Sequence, residues 1–327
     1  MKVRQQAALL ALGLAALVAP SLSPAQSDVP DGVNRAVTDS KIKVIFVIAF
    51  ENHDAKQIYG NKSDAPYINN VLMENYAYAT NFRDALPHEE SEPHYIWMEA
   101  GTNKFSDHSF TGSGDATKNN STKSTAHLVT QIKNAGNGLT WMSYQEGITE
   151  KTGKCPIESS KFYAAKHNPF VFFRDVSGNP PSKNNPYCVS HHKDLSALAG
   201  DLTNNRVATY NFVTPNLCND MHGEDGCPSK NEIKMGDDWL KNNLPALISY
   251  VNANAGVILL TWDEGDGTRV LPFLAVGPGV KKGYASTVRF DHSSQVKSIE
   301  RILELPFLST VSDATDLADM FEAGQFP

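Results

Sequence analysis

The stretch Val44-Ile45-Phe46-Val47-Ile48-Ala49, running into Phe50-Glu51-Asn52-His53, decides how this chain is read. Its apolar residues do not alternate with polar ones, so neither face can meet water. That is the pattern of a central strand in a parallel sheet, buried on both sides. A second such run, Gly256-Val257-Ile258-Leu259-Leu260-Thr261-Trp262, ends in Asp263-Glu264-Gly265-Asp266. A third, at 207–213, ends in Thr214-Pro215-Asn216-Leu217-Cys218-Asn219-Asp220-Met221-His222. Working outward, further strands are expected at 76–82, 139–144 and 271–276. Helices are expected at 66–74, at 124–135 with Ser124 as N-cap and Gly136 as stop, at 293–303 and at 313–321. Leu240, Leu244, Leu247, Ile248 and Val251 follow helical spacing, with a break expected at Pro245. Strands alternating with helices predict an α/β fold: a mainly parallel central sheet with helices on both faces.

The ends and composition bound the rest. Lys2 and Arg4 precede an apolar run at 7–18, and Ser23-Pro24-Ala25 offers small residues at a cleavage site. This is a secretory signal pattern, with cleavage expected after Ala25. The run is far short of the roughly 20 residues that span a bilayer, and no later stretch is long and apolar enough, so no stable membrane insertion is expected. Residues 26–42 read as an extended lead-in and 43–327 as a single domain, with the Pro- and Asn-rich segment 146–193 inserted as a cap. A net charge of −7 offers no basic face for nucleic acid. The four cysteines allow three connectivities, and an oxidising compartment favours pairing. Cys155–Cys188 and Cys218–Cys227 are preferred, since each pair brackets a polar, loop-like segment. The location expected is secreted or periplasmic.

Sites in open parallel sheets form beyond the carboxyl ends of the strands. Three strands here end in Glu51-Asn52, Asp263-Glu264 and Asp220 with His222. Each cluster alone fits a solvated turn; three together point to one shared site. Oxygen donors of this kind suit a hard or borderline divalent ion without identifying it.

The chain resembles the phosphoesterase family of acid phosphatases and phospholipases C, within the alkaline-phosphatase-like fold, and most of all its short acid phosphatase branch. The resemblance is carried in order by residues 47–53, Ser91-Glu92-Pro93-His94-Tyr95, Trp141 to Glu146, Lys166-His167-Asn168-Pro169-Phe170, 214–222, Gly236-Asp237-Asp238-Trp239-Leu240, Thr261-Trp262-Asp263-Glu264, 275–280 and Asp291-His292-Ser293. It implies one divalent metal ion on Glu51, Asn52, Asp263 and Glu264, with Ser91 as a nucleophile that also touches the metal. It implies His167 and His222 lining the phosphate pocket, and places Asp291 and His292 in the motif nearest the end of the domain. His94 stands where the family more often has Asn. Ser91 itself lies in a polar stretch, 87–93, that reads locally as a loop.

The expected activity is hydrolysis of phosphate monoesters through a phosphoserine, on a phosphorylated small-molecule or lipid substrate. A phospholipase C-type phosphodiesterase and a non-catalytic, metal-stabilised binding protein are the rivals. The sequence leaves the oligomeric state open.

Overall fold

An eight-stranded sheet organises the computed structural model, which describes residues 39–149, 152–267 and 269–327. The expected signal segment and most of the lead-in lie outside the described residues. The strands are β1 (Val44–Phe50), β2 (Ala77–Ala79), β3 (Phe82–Arg83), β4 (Trp141–Gln145), β5 (His192–Asp194), β6 (Tyr210–Thr214), β7 (Gly256–Trp262), β8 (Val270–Leu271), β9 (Phe273–Val276) and β10 (Ala285–Ser286). Their order in the sheet is β10-β2-β9-β7-β1-β6-β4-β5, with β3 and β8 forming a separate ribbon. From β7 to β5 every neighbouring pair is parallel. Within this sheet, among the described residues, only β9 runs against its neighbours, while the β3–β8 ribbon is itself antiparallel.

The two apolar runs that lack alternation, β1 and β7, lie side by side at the centre, buried along their whole lengths. Helices cover both faces, as register shows. Phe46 and Phe50 of β1 meet Tyr250 and Trp239 of the long helix Glu232–Ala253, at ring distances of 6.3 and 6.0 Å. Val47, on the opposite face, is paired with Phe212 of β6, which meets Tyr95 of the helix Ser91–Ala100.

Several local expectations are corrected. The long helix runs unbroken through Pro245, which is exposed. The carbonyl that Pro245 leaves without a donor therefore faces the wet side. The helix expected from 124 begins at Leu128, with His127 rather than Ser124 at its N-cap. The His127 ring is held between Glu99 and Asp175, which fixes residue 127 in extended backbone. The run 271–276 is cut by Pro272, which cannot donate to a ladder. The first part joins the ribbon and the second the main sheet. The run 76–82 likewise divides into β2 and the start of β3. Of 313–321 only a 3₁₀ turn, Leu317–Met320, forms.

Both preferred disulfides are present, with Cα–Cα distances of 5.3 Å for Cys155–Cys188 and 5.4 Å for Cys218–Cys227. The inserted segment is less of a lid than its composition suggests. Phe170, Val171, Phe172 and Phe173 are fully buried in the main core, and the segment ends in β5 of the sheet.

Candidate active site

Strand register converts separate clusters into one. Phe50 pairs with Trp262, so Glu51 and Asp263 leave the sheet side by side. The Asp263 N–H donates to the Phe50 carbonyl at 3.0 Å. Asn52 takes a φ of 46°, a left-handed turn that Asn tolerates better than most residues. The turn aims the Asn52 N–H at Asp263 Oδ1, 3.1 Å away. On the other side of β1, the loop after β6 folds back, and its Asp220 carbonyl accepts from the Glu51 N–H at 2.8 Å. Glu51, Asp220 and Asp263 are all fully buried.

Ser91 arrives from a different layer. The polar stretch expected to be a loop instead starts a helix, with Glu90 extended at the N-cap and Ser91 first in the helix Ser91–Ala100. Pro93 stands third, where its missing N–H would lack an intrahelical acceptor in any case. The Ser91 hydroxyl faces Glu51 Oε2 at 3.2 Å and Glu264 Oε1 at 3.0 Å. The Asn52 carboxamide closes the group. Turned nitrogen-inward, it donates to Glu264 Oε1 at 3.2 Å and Glu51 Oε2 at 3.3 Å. Turned oxygen-inward, it adds another oxygen to theirs, the arrangement a cation draws together.

The electrostatics fit such a cation. Burial, followed by the charge of Asp220, pushes Glu51 up to about 8. Burial, followed by Glu51 and Glu264, pushes Asp263 well above the usual carboxylate range. Burial raises Glu264 as well. Asp263 Oδ2 is buried without a hydrogen-bond partner among the described residues. Carboxylates held together at this cost of desolvation are what a divalent ion compensates. Glu51, Asn52, Asp263 and Glu264 could hold it, with Ser91 Oγ against it.

The histidines divide into two groups. His167 is buried, its ring lying flat on Tyr95 (centroids 4.9 Å, 8° between planes). Its Nε2 lies 3.3 Å from Glu51 Oε1 and its Nδ1 3.5 Å from Asp220 Oδ2. His222, 5.8 Å from His167 by ring centroids, is the half-buried member. Its backbone N–H donates to Asp220 Oδ1 at 2.8 Å and its Nδ1 to the Gly223 carbonyl at 2.7 Å, with no hydrogen-bond partner for Nε2 among the described residues. On the other side, His94 donates from Nδ1 to the Glu90 carbonyl and from Nε2 to Asp84, at 2.8 and 3.0 Å. Burial opposes its charge, but the Asp84 hydrogen bond and the potential of Asp263 and Asp84 prevail and raise it to about 9. Both ring nitrogens thus face acceptors, an arrangement that favours the protonated ring. His292 donates from Nε2 to the Trp262 carbonyl at 2.8 Å, and burial followed by His94 lowers it to about 4. Asp291 caps its helix by accepting from the Ser294 N–H.

Asp84, Tyr95 and Gly236 were not legible as site residues. Asp84 and Tyr95 sit in segments with no metal-ligand spacing. Gly236 matters because a Cβ there would fall 2.3 Å from Met221 Cγ, so its bareness seats the Asp220–His222 loop.

The phosphoesterase family profile matches residues 59–306. A phosphatidylinositol-3-phosphatase of Mycobacterium tuberculosis is 29% identical over 281 residues, 85% of this chain and 82% of the relative. A probable acid phosphatase of Kluyveromyces lactis is 27% identical over 307 residues, 89% of this chain and 66% of the relative. An acid phosphatase of Aspergillus niger is 26% identical over 181 residues, 52% of this chain and 40% of the relative. Among solved structures, a murine ectonucleotide pyrophosphatase/phosphodiesterase matches with a TM-score of 0.57 over 85% of this chain and 100% of that one, at 10% identity. A lipoteichoic acid synthase of Listeria monocytogenes matches with a TM-score of 0.51 over 90% and 78%, at 12% identity. These structures share the fold.

Proposed function

The chain belongs to the phosphoesterase family and is a hydrolase of phosphate esters, and from that premise we propose that it is an exported, metal-dependent phosphomonoesterase of the acid phosphatase kind. One observation carries the mechanism: the Ser91 hydroxyl, at a helix N-terminus, lies 3.2 and 3.0 Å from two carboxylates of the candidate metal set.

A divalent ion on Glu51, Asn52, Asp263 and Glu264 would stabilise the serine alkoxide and offset charge on the phosphoryl oxygens. First-turn N–H groups of the Ser91 helix favour the phosphate as well. A protonated His94 ring would add positive charge on the same side. Ser91 Oγ passes its proton to the Glu264 carboxylate it faces, attacks phosphorus and forms a phosphoserine as the ester oxygen departs; the proton returns to Oγ when the phosphoserine is hydrolysed. His222 Nε2, the ring nitrogen without a partner among the described residues, donates a proton to the departing ester oxygen. It then takes one from the water that hydrolyses the phosphoserine and frees phosphate. His167 is buried between Glu51 and Asp220, on the inner side of the pocket. His292 holds the carbonyl just before Asp263.

Export is supported by the signal pattern and by two disulfides. Among the described residues no helix is long and apolar enough to cross a membrane. Residues 43–327 are read as one phosphoesterase domain acting on small phosphate monoesters. A phosphorylated lipid headgroup is the second reading, favoured by the mycobacterial relative.

Purified chain is expected to release phosphate from a chromogenic monoester between pH 4 and 8 when divalent ions are supplied. Ser91→Ala should lower turnover by about 10³-fold or more, with folding and metal content unchanged. Full residual activity would remove Ser91 from its role, and no release by the wild type under any of these conditions would remove the phosphatase reading. Faster turnover of a phosphoinositide than of the chromogenic ester would favour the lipid.

A further inference from the structure

Among the described residues two carboxylate–imidazole–carboxylate sandwiches occur, and they are not closed alike. In the first, His127 Nδ1 lies 2.9 Å from Glu99 Oε1 and Nε2 lies 3.1 Å from Asp175 Oδ1. Both ring nitrogens are at hydrogen-bond distance, as a protonated ring between two carboxylates should be. In the second, the corresponding separations are 3.3 Å from His167 to Glu51 and 3.5 Å from His167 to Asp220. Charge-assisted hydrogen bonds close to about 2.7–2.9 Å, and this sandwich has not closed. Each of its members instead keeps a buried atom with no hydrogen-bond partner among the described residues: Glu51 Oε1, His167 Nε2 and Asp220 Oδ2. One donor atom from each lies within 4.8 Å of the others. All three residues are essentially inaccessible to solvent, so water does not satisfy them at the surface.

We propose that Glu51, His167 and Asp220 hold a second divalent cation, on the opposite side of the Glu51 carboxylate from Ser91. Glu51 then bridges two ions, one through Oε2, which faces Ser91, and one through Oε1, which faces His167. The inference rests on the reading above only in giving Oε2 to the first ion. One imidazole nitrogen with two carboxylate oxygens is a borderline donor set, suited to Zn²⁺ or Mn²⁺, whereas the Ser91-side set is all oxygen. Asp220 also receives the His222 N–H, so the second ion would fix the loop that presents His222.

The test uses the full chain, stripped of metal, reloaded with Zn²⁺ and freed of excess by gel filtration. Bound metal is then counted by mass spectrometry, and its ligands are read by X-ray absorption. Wild type should retain two ions with imidazole scattering. Asp220→Asn and His167→Gln should each retain one, without that scattering, and Asp263→Asn should retain the imidazole-bound ion. Circular dichroism confirms folding, and because His167→Gln keeps a hydrogen-bonding side chain, it decides the matter should Asp220→Asn misfold. A single ion in the wild type, unaffected by either triad variant, overturns the second site and leaves the first standing. A single ion lost with Asp220→Asn but kept in Asp263→Asn upholds the triad and removes the Ser91-side assignment.

Discussion

His127 shows what a closed sandwich contributes. Its ring is fully buried, joins the Ser91 helix through Glu99 to the inserted segment through Asp175, and lies against Phe173 at 3.9 Å between centroids. Burial opposes its charge, but the hydrogen bonds to Asp175 and Glu99 outweigh it and raise its pKa above the ordinary value. A raised histidine stabilises fully below its unfolded pKa, about 6.5, and that contribution is lost as pH rises through the native value. Glu99, raised chiefly by burial, gives the same sign. His127→Gln is therefore expected to destabilise by roughly 3 kcal/mol at pH 5.5 and by clearly less at pH 9. Urea unfolding at both pH values measures this, and equal losses at the two would mean that the ring is neutral. At this scale the sequence was uneven as a guide. Glu51 and Asp263 could be found because each directly follows an apolar run, and register then brings them together. The setting of Ser91 could not be found that way. Its neighbours are polar, and the helix it begins draws its burial from Tyr95, Ile96 and Met98, further along.

The long helix Glu232–Ala253 carries two residues that ordinary propensity would disfavour, and for opposite reasons. Gly236 is required by contact. Ala is the better helix former by about 1 kcal/mol, yet its Cβ would meet Met221, which already has a φ of 77°. Gly236→Ala should leave the melting temperature nearly unchanged or lower, and cut activity at least tenfold by displacing Asp220 and His222. A fully active, more stable variant would show that the loop has room to move. Pro245 is tolerated rather than required. It interrupts the hydrogen-bond ladder on the exposed face, so Pro245→Ala should stabilise by about 1 kcal/mol or more, read as a higher urea midpoint. Lower stability would show that the proline's limit on the unfolded chain is worth more. The helix was visible from its leucine spacing. Its continuity was not, because periodicity does not reveal on which side of the helix water lies.

The order of the molecule was legible where it depends on burial: the two central strands, the parallel rhythm and the face-to-face helices. It was not legible where distant segments decide, as in the antiparallel β9 or the cut at Pro272. The disulfides belong to the whole-molecule scale as well. They close loops of 33 and 9 residues. On loop entropy alone they are worth about 3.7 and 2.6 kcal/mol. Reduction should lower the melting temperature by several degrees, and an unchanged melting curve would show that packing alone holds the inserted segment. Their placement has a consequence beyond stability. Cys155–Cys188 encloses His167, and Cys218–Cys227 encloses Asp220 and His222. Ser91 and the carboxylates at the ends of β1 and β7 lie outside both loops. With both bonds reduced, these loops would be the first part of the centre to loosen, while the ends of β1 and β7 stay fixed by the sheet. Closing the two bonds would thus complete the centre, and reduced chain is expected to lose activity at temperatures where it remains folded.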